Sequence, residues 1–157
     1  MNKCLIIGIG NTLRGDDGIA SLVLKHLHDT IVSDRIVEVT QLTIELAPTL
    51  AECKCVLFID AALDLPPGQW KIGEVPTGVE VATPFGHELT PAELVQLTCA
   101  LFRHCPAASL LRIGASEFDK PDSISDILSV NVAAYADCVS HWYQEHFHED
   151  ENPVVAL

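Results

Sequence analysis

Two hydrophobic patterns alternate along the chain. Lys3 to Ile9 is an almost unbroken apolar run and Cys55 to Ile59 is another; each stops at glycine or aspartate. Runs without polar alternation suit strands covered on both faces, as in a parallel sheet between helices. Arg35 to Leu42 and Leu110 to Gly114 read as further strands. Trp70 to Val75, set between Pro67-Gly68 and Pro76, reads as a shorter edge strand. Helical periodicity fills the intervals. Ile19, Leu22, Val23 and Leu27 make one apolar face. Leu94, Leu97 and Leu101 make a second, entered through Thr90-Pro91-x-Glu93, a cap with proline in the first turn and glutamate at the capping-box position. The third runs from Ile124 through Leu128, Val132, Tyr135 and Val139 to Tyr143, with Ser123 or Asp122 as its cap. This alternation predicts a three-layer α/β/α sandwich around a twisted, mostly parallel sheet of about five strands. One domain is expected over residues 1–145, followed by an acidic tail, 146–157, that frays.

Composition narrows the partners. At 157 residues the chain can bury a core without disulfide or metal staples. It carries 9 Lys+Arg against 22 Asp+Glu, a net charge of −13, although 48% of its residues are hydrophobic. After Lys120 there is no Lys or Arg, while seven acids follow, from Asp122 to Glu151. Such a chain lacks the electrostatic footprint of a nucleic-acid-binding domain and is repelled by anionic membranes. No apolar stretch approaches the roughly 20 residues of a spanning helix. Lys3 and the apolar run behind it do not make a signal peptide, because glycines interrupt the run and Arg14, Asp16 and Asp17 stand where a small-residue cleavage site belongs. Six scattered cysteines with no Cys-x-x-Cys argue against structural zinc; they are expected as buried reduced thiols, which points to the cytoplasm.

In α/β folds chemistry collects at the carboxyl ends of the strands. The first strand runs into Gly8-Ile9-Gly10-Asn11-Thr12-Leu13-Arg14-Gly15-Asp16-Asp17-Gly18. A dinucleotide reading fails here: the third glycine position falls on Leu13, and Thr40-Gln41 offers no acid for a ribose. Asp16 and Asp17 also stand where pyrophosphate would sit, and two like charges about 4 Å apart repel by roughly 1 kcal/mol even in water. The acids suit a cation instead. Asp16 is expected to cap the helix and Asp17 to stand in its first turn; ordinary capping explains one acid but not two in tandem. Asp60, closing Phe58-Ile59-Asp60-Ala61-Ala62, shares that sheet edge, although an acid there alone could equally cap a turn. His87, in the loop Thr83 to Leu89, adds an imidazole, whereas His141, His146 and His148 are expected in solvent. Two carboxylates and an imidazole with open positions suit nickel, zinc or iron, held weakly for want of cysteine.

Together these residues resemble the [NiFe]-hydrogenase maturation proteases, endopeptidases that trim the C-terminus of hydrogenase large subunits. The matching signature is Gly8-x-Gly10-Asn11-x-Leu13-x-x-Asp16-Asp17-Gly18, then Ile59-Asp60-Ala61, then His87, and the resemblance covers essentially the whole chain. It implies the same α/β/α fold, metal positions at Asp17, Asp60 and His87, and Asp16 as a secondary candidate beside them. It implies a nickel-loaded large-subunit precursor as substrate and partner, cut after a basic residue. Where many members carry Asp-Gly-Gly-Thr after the second strand, this chain has Thr40-Gln41-Leu42-Thr43-Ile44-Glu45-Leu46. That version looks like the branch serving bidirectional, NAD(P)-linked hydrogenases.

The usual hydrolytic nucleophiles are missing: there is no Gly-x-Ser-x-Gly, no His-Glu-x-x-His and no evident Cys-His arrangement. A metal arriving with the substrate would fill the gap. Nickel already in the precursor would dock on Asp17, Asp60 and His87 and polarise the scissile carbonyl or activate water, with Asp16 as a candidate proton acceptor. The rival from another class is a non-catalytic metal-delivery or assembly chaperone using the same three residues. A monomer is expected.

Overall fold

The computed structural model describes residues 3–76 and 88–147. Its five strands, β1 (Lys3–Ile9), β2 (Ile36–Val39), β3 (Cys53–Ala62), β4 (Trp70–Glu74) and β5 (Ala107–Gly114), form one sheet in the order β2-β1-β3-β5-β4. All neighbouring pairs are parallel except β4 against β5, which is antiparallel. The helices are α1 (Ile19–Lys25), α2 (Ala47–Ala51), α3 (Pro91–Phe102), α4 (Asp126–Ser129) and α5 (Val132–Phe147).

The unbroken apolar runs have the expected cause. Successive side chains leave a strand on opposite faces, and here both faces are covered. Cys4, Ile6, Leu57, Ile59, Leu111 and Ile113 pack in one core with residues of α1, α4 and α5. Leu5, Ile7, Ile9, Val56 and Phe58 form the other with α2 and α3. Fully burying each large side chain contributes about 1.5–3 kcal/mol, so both faces of the sheet must stay apolar. The three layers follow directly.

The entry to α3 is as read from sequence. The Glu93 N–H donates to Thr90 Oγ1 at 3.2 Å, and the Thr90 N–H donates to Glu93 Oε2 at 2.8 Å. Four details differ. Helix α2 was not foreseen, because five residues with Pro48 in the first turn show too little periodicity to read. The final helix is two pieces: α4 ends at Ser129, and α5 begins at Val132. Neither Ser123 nor Asp122 caps it. Ser125 precedes α4 and makes no side-chain cap bond, its hydroxyl being engaged elsewhere, and Asp122 lies in a preceding turn with φ 54°. His146, expected in solvent, stacks on Trp142 with ring centres 4.4 Å apart.

The cysteines need the larger correction. Cys4 and Cys55, register partners on β1 and β3 with Cα atoms 4.9 Å apart, are joined as a disulfide, as are Cys99 and Cys105 at 4.7 Å. Cys53 and Cys138 remain thiols. Pairing across strands is set by register, which sequence spacing does not reveal. Among the described residues no helix is long and apolar enough to cross a membrane. Helix α5 carries the domain through Phe147, and residues 148–157 of the expected tail lie outside the described residues.

Candidate functional site

Strand order places the site. The chain leaves β1, builds β2 on one flank, then returns to build β3 on the other, so the order switches between β1 and β3. Open α/β sheets bind ligands at the carboxyl edge of such a switch point. Asp17 follows β1 and Asp60 lies near the end of β3, so both stand at that edge.

The turn after β1 is held by its own backbone. Gly10 donates to the Val39 carbonyl at 2.9 Å and has φ 149°, a conformation open to glycine. Asn11 accepts the Leu13 N–H on its side-chain oxygen at 2.9 Å. A 3₁₀ turn, Gly15–Gly18, then delivers the two acids. They diverge. The Asn11 N–H donates to Asp17 Oδ2 at 2.8 Å, which holds that carboxylate beside the β1 turn. Asp16 goes the other way and is fully buried.

Asp16 does not cap α1. Its carboxylate accepts the N–H groups of Ser116 at 3.1 Å, Glu117 at 3.0 Å and Ser125 at 2.7 Å, and the Ser125 hydroxyl at 2.9 Å. Burial pushes its pKa up, but the hydrogen bonds from Ser125, Glu117 and Ser116 outweigh it and hold the carboxyl below its usual range. Three of the four donors converge on Oδ2 and one, the Ser125 N–H, on Oδ1. Asp16 ties the β1 turn to a loop a hundred residues downstream, and its carboxylate is turned away from Asp17 into the protein.

Asp60 is different. It is half-buried, and its pKa is pushed up to about 7, first by burial and then by the charge of Asp17, with Glu88 adding to the rise. Arg112 acts weakly in the opposite direction. The structure therefore brings Asp17 and Asp60 within electrostatic reach of each other. His87 lies outside the described residues. Among the described residues no group of three or more His, Cys, Asp and Glu side chains is placed to hold a metal, so the pair needs a further donor. A cleft of about 180 Å³ opens beside the turn, lined by Gly8, Gly10, Thr12, Glu38 and Thr40, but neither Asp17 nor Asp60 forms its wall.

The raised pKa predicts a pH-dependent effect on stability. Unfolded, Asp60 titrates near 3.8; folded, near 7. The folded state binds the proton more tightly, so ionising Asp60 costs stability as pH rises through that window, and the cost is absent below about pH 4. Asp60→Asn should therefore raise the unfolding free energy by roughly 2 kcal/mol at pH 8, about half the full linkage value. Near pH 4 it should change little. Urea unfolding at both pH values checks this; an equal effect at both would contradict it.

Sequence reading passed over the neighbours of Asp60. Arg112 on β5 is its register partner, and the Arg112 guanidinium pairs with Asp64 in the loop after β3. Only strand register reveals that adjacency.

The fold, a mostly parallel five-stranded sheet between helix layers, is similar to that of solved hydrogenase maturation proteases. The [NiFe] hydrogenase maturation protease HycI of Thermococcus kodakarensis superimposes with a TM-score of 0.68 at 18% identity, covering 94% of this chain and 93% of that chain. The hydrogenase maturating endopeptidase HybD of E. coli gives 0.69 at 18% identity, covering 91% and 93%. A hydrogenase 2 maturation peptidase from a Thaumarchaeota archaeon gives 0.64 at 22% identity, covering 90% and 98%. No family model and no curated protein matches the sequence.

Proposed function

We propose that this chain is a hydrogenase maturation endopeptidase, which removes the C-terminal peptide of a nickel-loaded [NiFe]-hydrogenase large-subunit precursor. The observation that carries this reading is the approach of Asp17 and Asp60 at the switch point of a fold shared nearly end to end with maturation proteases. Nickel belongs to the substrate. Asp17 and Asp60 would offer it oxygen donors and His87 a nitrogen, without a thiolate, a set that holds a borderline divalent ion weakly. Weak resting affinity is useful, since only a metal already anchored in a precursor completes the constellation. The charge of Asp17 opposes the ionisation of Asp60, and a cation joining them relieves it. Docked nickel supplies Lewis-acid polarisation of the scissile carbonyl or activation of water. Asp16, buried and bonded to Ser116, Glu117 and Ser125, holds the turn that presents Asp17.

The test is mass spectrometry of a purified precursor, nickel-loaded and nickel-free, after incubation with the chain. We expect shortening of the loaded form only, and Asp17→Ala, Asp60→Ala and His87→Ala each slower by at least about 100-fold. A precursor of unchanged mass would favour the metal-delivery chaperone. Full activity in all three variants would remove metal docking, and equal cleavage of nickel-free precursor would remove nickel recognition.

A further inference from the structure

The reaction read above has an unmet need. Water adding to an amide carbonyl leaves negative charge on the carbonyl oxygen, and the edge of the sheet carries Asp17, Asp60 and Glu88, whose field opposes that charge. A fixed cation aimed at the same place is the usual remedy. Arg112 is placed for it.

Leu111 and Ile113 turn into the core under α5, so Arg112 between them leaves β5 on the opposite face. Ile59 and Ala61 likewise turn to the α5 side, so Asp60 shares the face of Arg112. The two are register partners on adjacent parallel strands, and neighbouring strands lie about 4.7–4.9 Å apart. The guanidinium is also held. Asp64, two residues beyond β3, pairs with it and keeps it at the carboxyl edge. The Arg112 side chain retains 34% exposure, and five N–H donors leave several free after one carboxylate is served. A second cation stands beside it: Lys71 on β4 is the register partner of Arg112. Like charges placed opposite each other destabilise a sheet, and Asp64 relieves the pair through its contact with the Arg112 guanidinium. In a chain with 9 basic residues against 22 acids, Arg112 and Lys71 put two cations beside the acids of this edge.

We propose that Arg112, oriented by Asp64, donates to the oxyanion that forms on the scissile carbonyl next to Asp60; the proposal rests on the endopeptidase reading. Water forms the new C–O bond, and the carbonyl π pair moves to the oxygen facing the guanidinium. One proton passes from the water to a carboxylate of the site. When the oxyanion collapses the C–N bond breaks, and that proton goes to the leaving nitrogen. Arg112 stays charged throughout, since a guanidinium keeps its proton at any working pH.

The experiment is steady-state cleavage of nickel-loaded precursor by the full chain and by Arg112→Ala, Arg112→Lys and Asp64→Ala. Arg112→Ala should lower kcat by about 100- to 1,000-fold with KM changed by less than about threefold. Guanidinium ion at millimolar concentration should restore part of that loss, which it would not do for a residue of purely structural importance. Arg112→Lys keeps the charge and the ion pair but loses the planar fork, so its kcat should fall with KM unchanged even if the alanine variant folds poorly. Asp64→Ala should give a smaller kcat loss. Undiminished kcat in Arg112→Ala and Arg112→Lys overturns the proposal while wild-type cleavage stands, as does a loss confined to KM without guanidinium rescue. A wild-type chain that leaves the precursor uncut overturns the endopeptidase reading and this proposal with it.

Discussion

Asp16→Ala is expected to lower the unfolding free energy by about 4 kcal/mol, the range for breaking a buried, hydrogen-bonded charge site. The cause is what the carboxylate leaves behind. Three backbone N–H groups and one hydroxyl converge on it from Ser116, Glu117 and Ser125, and alanine offers them nothing. Each buried donor left unpaired costs about 1–3 kcal/mol, although local rearrangement and water recover part of the sum. The melting temperature should fall by roughly 10 °C for a domain of this size. Asp16→Asn should cost less, because one amide oxygen still accepts. The sign with pH also follows. A carboxyl held below its ordinary value of 3.8 stabilises the fold above that pH and loses the contribution as pH falls through the folded-state value. Wild type should therefore lose most of its advantage over Asp16→Asn in strong acid. Thermal unfolding at about pH 7 and pH 3 measures both effects; an alanine variant within about 1 kcal/mol of wild type would contradict the assignment.

Gly10→Ala is expected to be nearly as damaging, by another route. At φ 149° an L side chain is strained, and a Cβ added there would run into the backbone carbonyl of Asp17. Backbone cannot step aside as a flexible side chain does. Either the turn opens, losing the bond from Gly10 to Val39, or Asp17 shifts away from the Asn11 N–H. The expected cost is about 3 kcal/mol or more, with precursor cleavage lost beyond what reduced folding explains. Circular dichroism melting read beside the cleavage rate separates the two. Wild-type stability together with wild-type cleavage would show that the turn tolerates a side chain.

Much of this architecture was legible because each strand is covered on both faces. Lys3–Ile9 and Cys55–Ile59 could not be surface strands, and Thr90-Pro91-x-Glu93 marked a helix start through local chemistry alone. Asp17 and Asp60 could be placed on one edge by topology. What failed depended on contacts between distant segments. The work of Asp16 is set by a loop at residues 116–125, so neighbouring sequence suggested a helix cap where there is a long-range tie. The pairing of Cys4 with Cys55 and the adjacency of Arg112 to Asp60 both come from strand register. Ser125 was missed as the start of α4 because its hydroxyl serves Asp16 and leaves no cap bond.

The position of β1 has a kinetic corollary. It is flanked by β2 and β3, and its partners on β3 lie about fifty residues away in sequence, Ile7 opposite Phe58 for example. Contacts between such distant segments form slowly, since the intervening loop must close before they stabilise anything. Asp17 and Asp60 come together only when β3 has docked. In a refolding time course, affinity for a doubly charged ion should rise with the last phase of sheet assembly rather than with early helix formation. A divalent ion would thus serve as a reporter of the finished sheet.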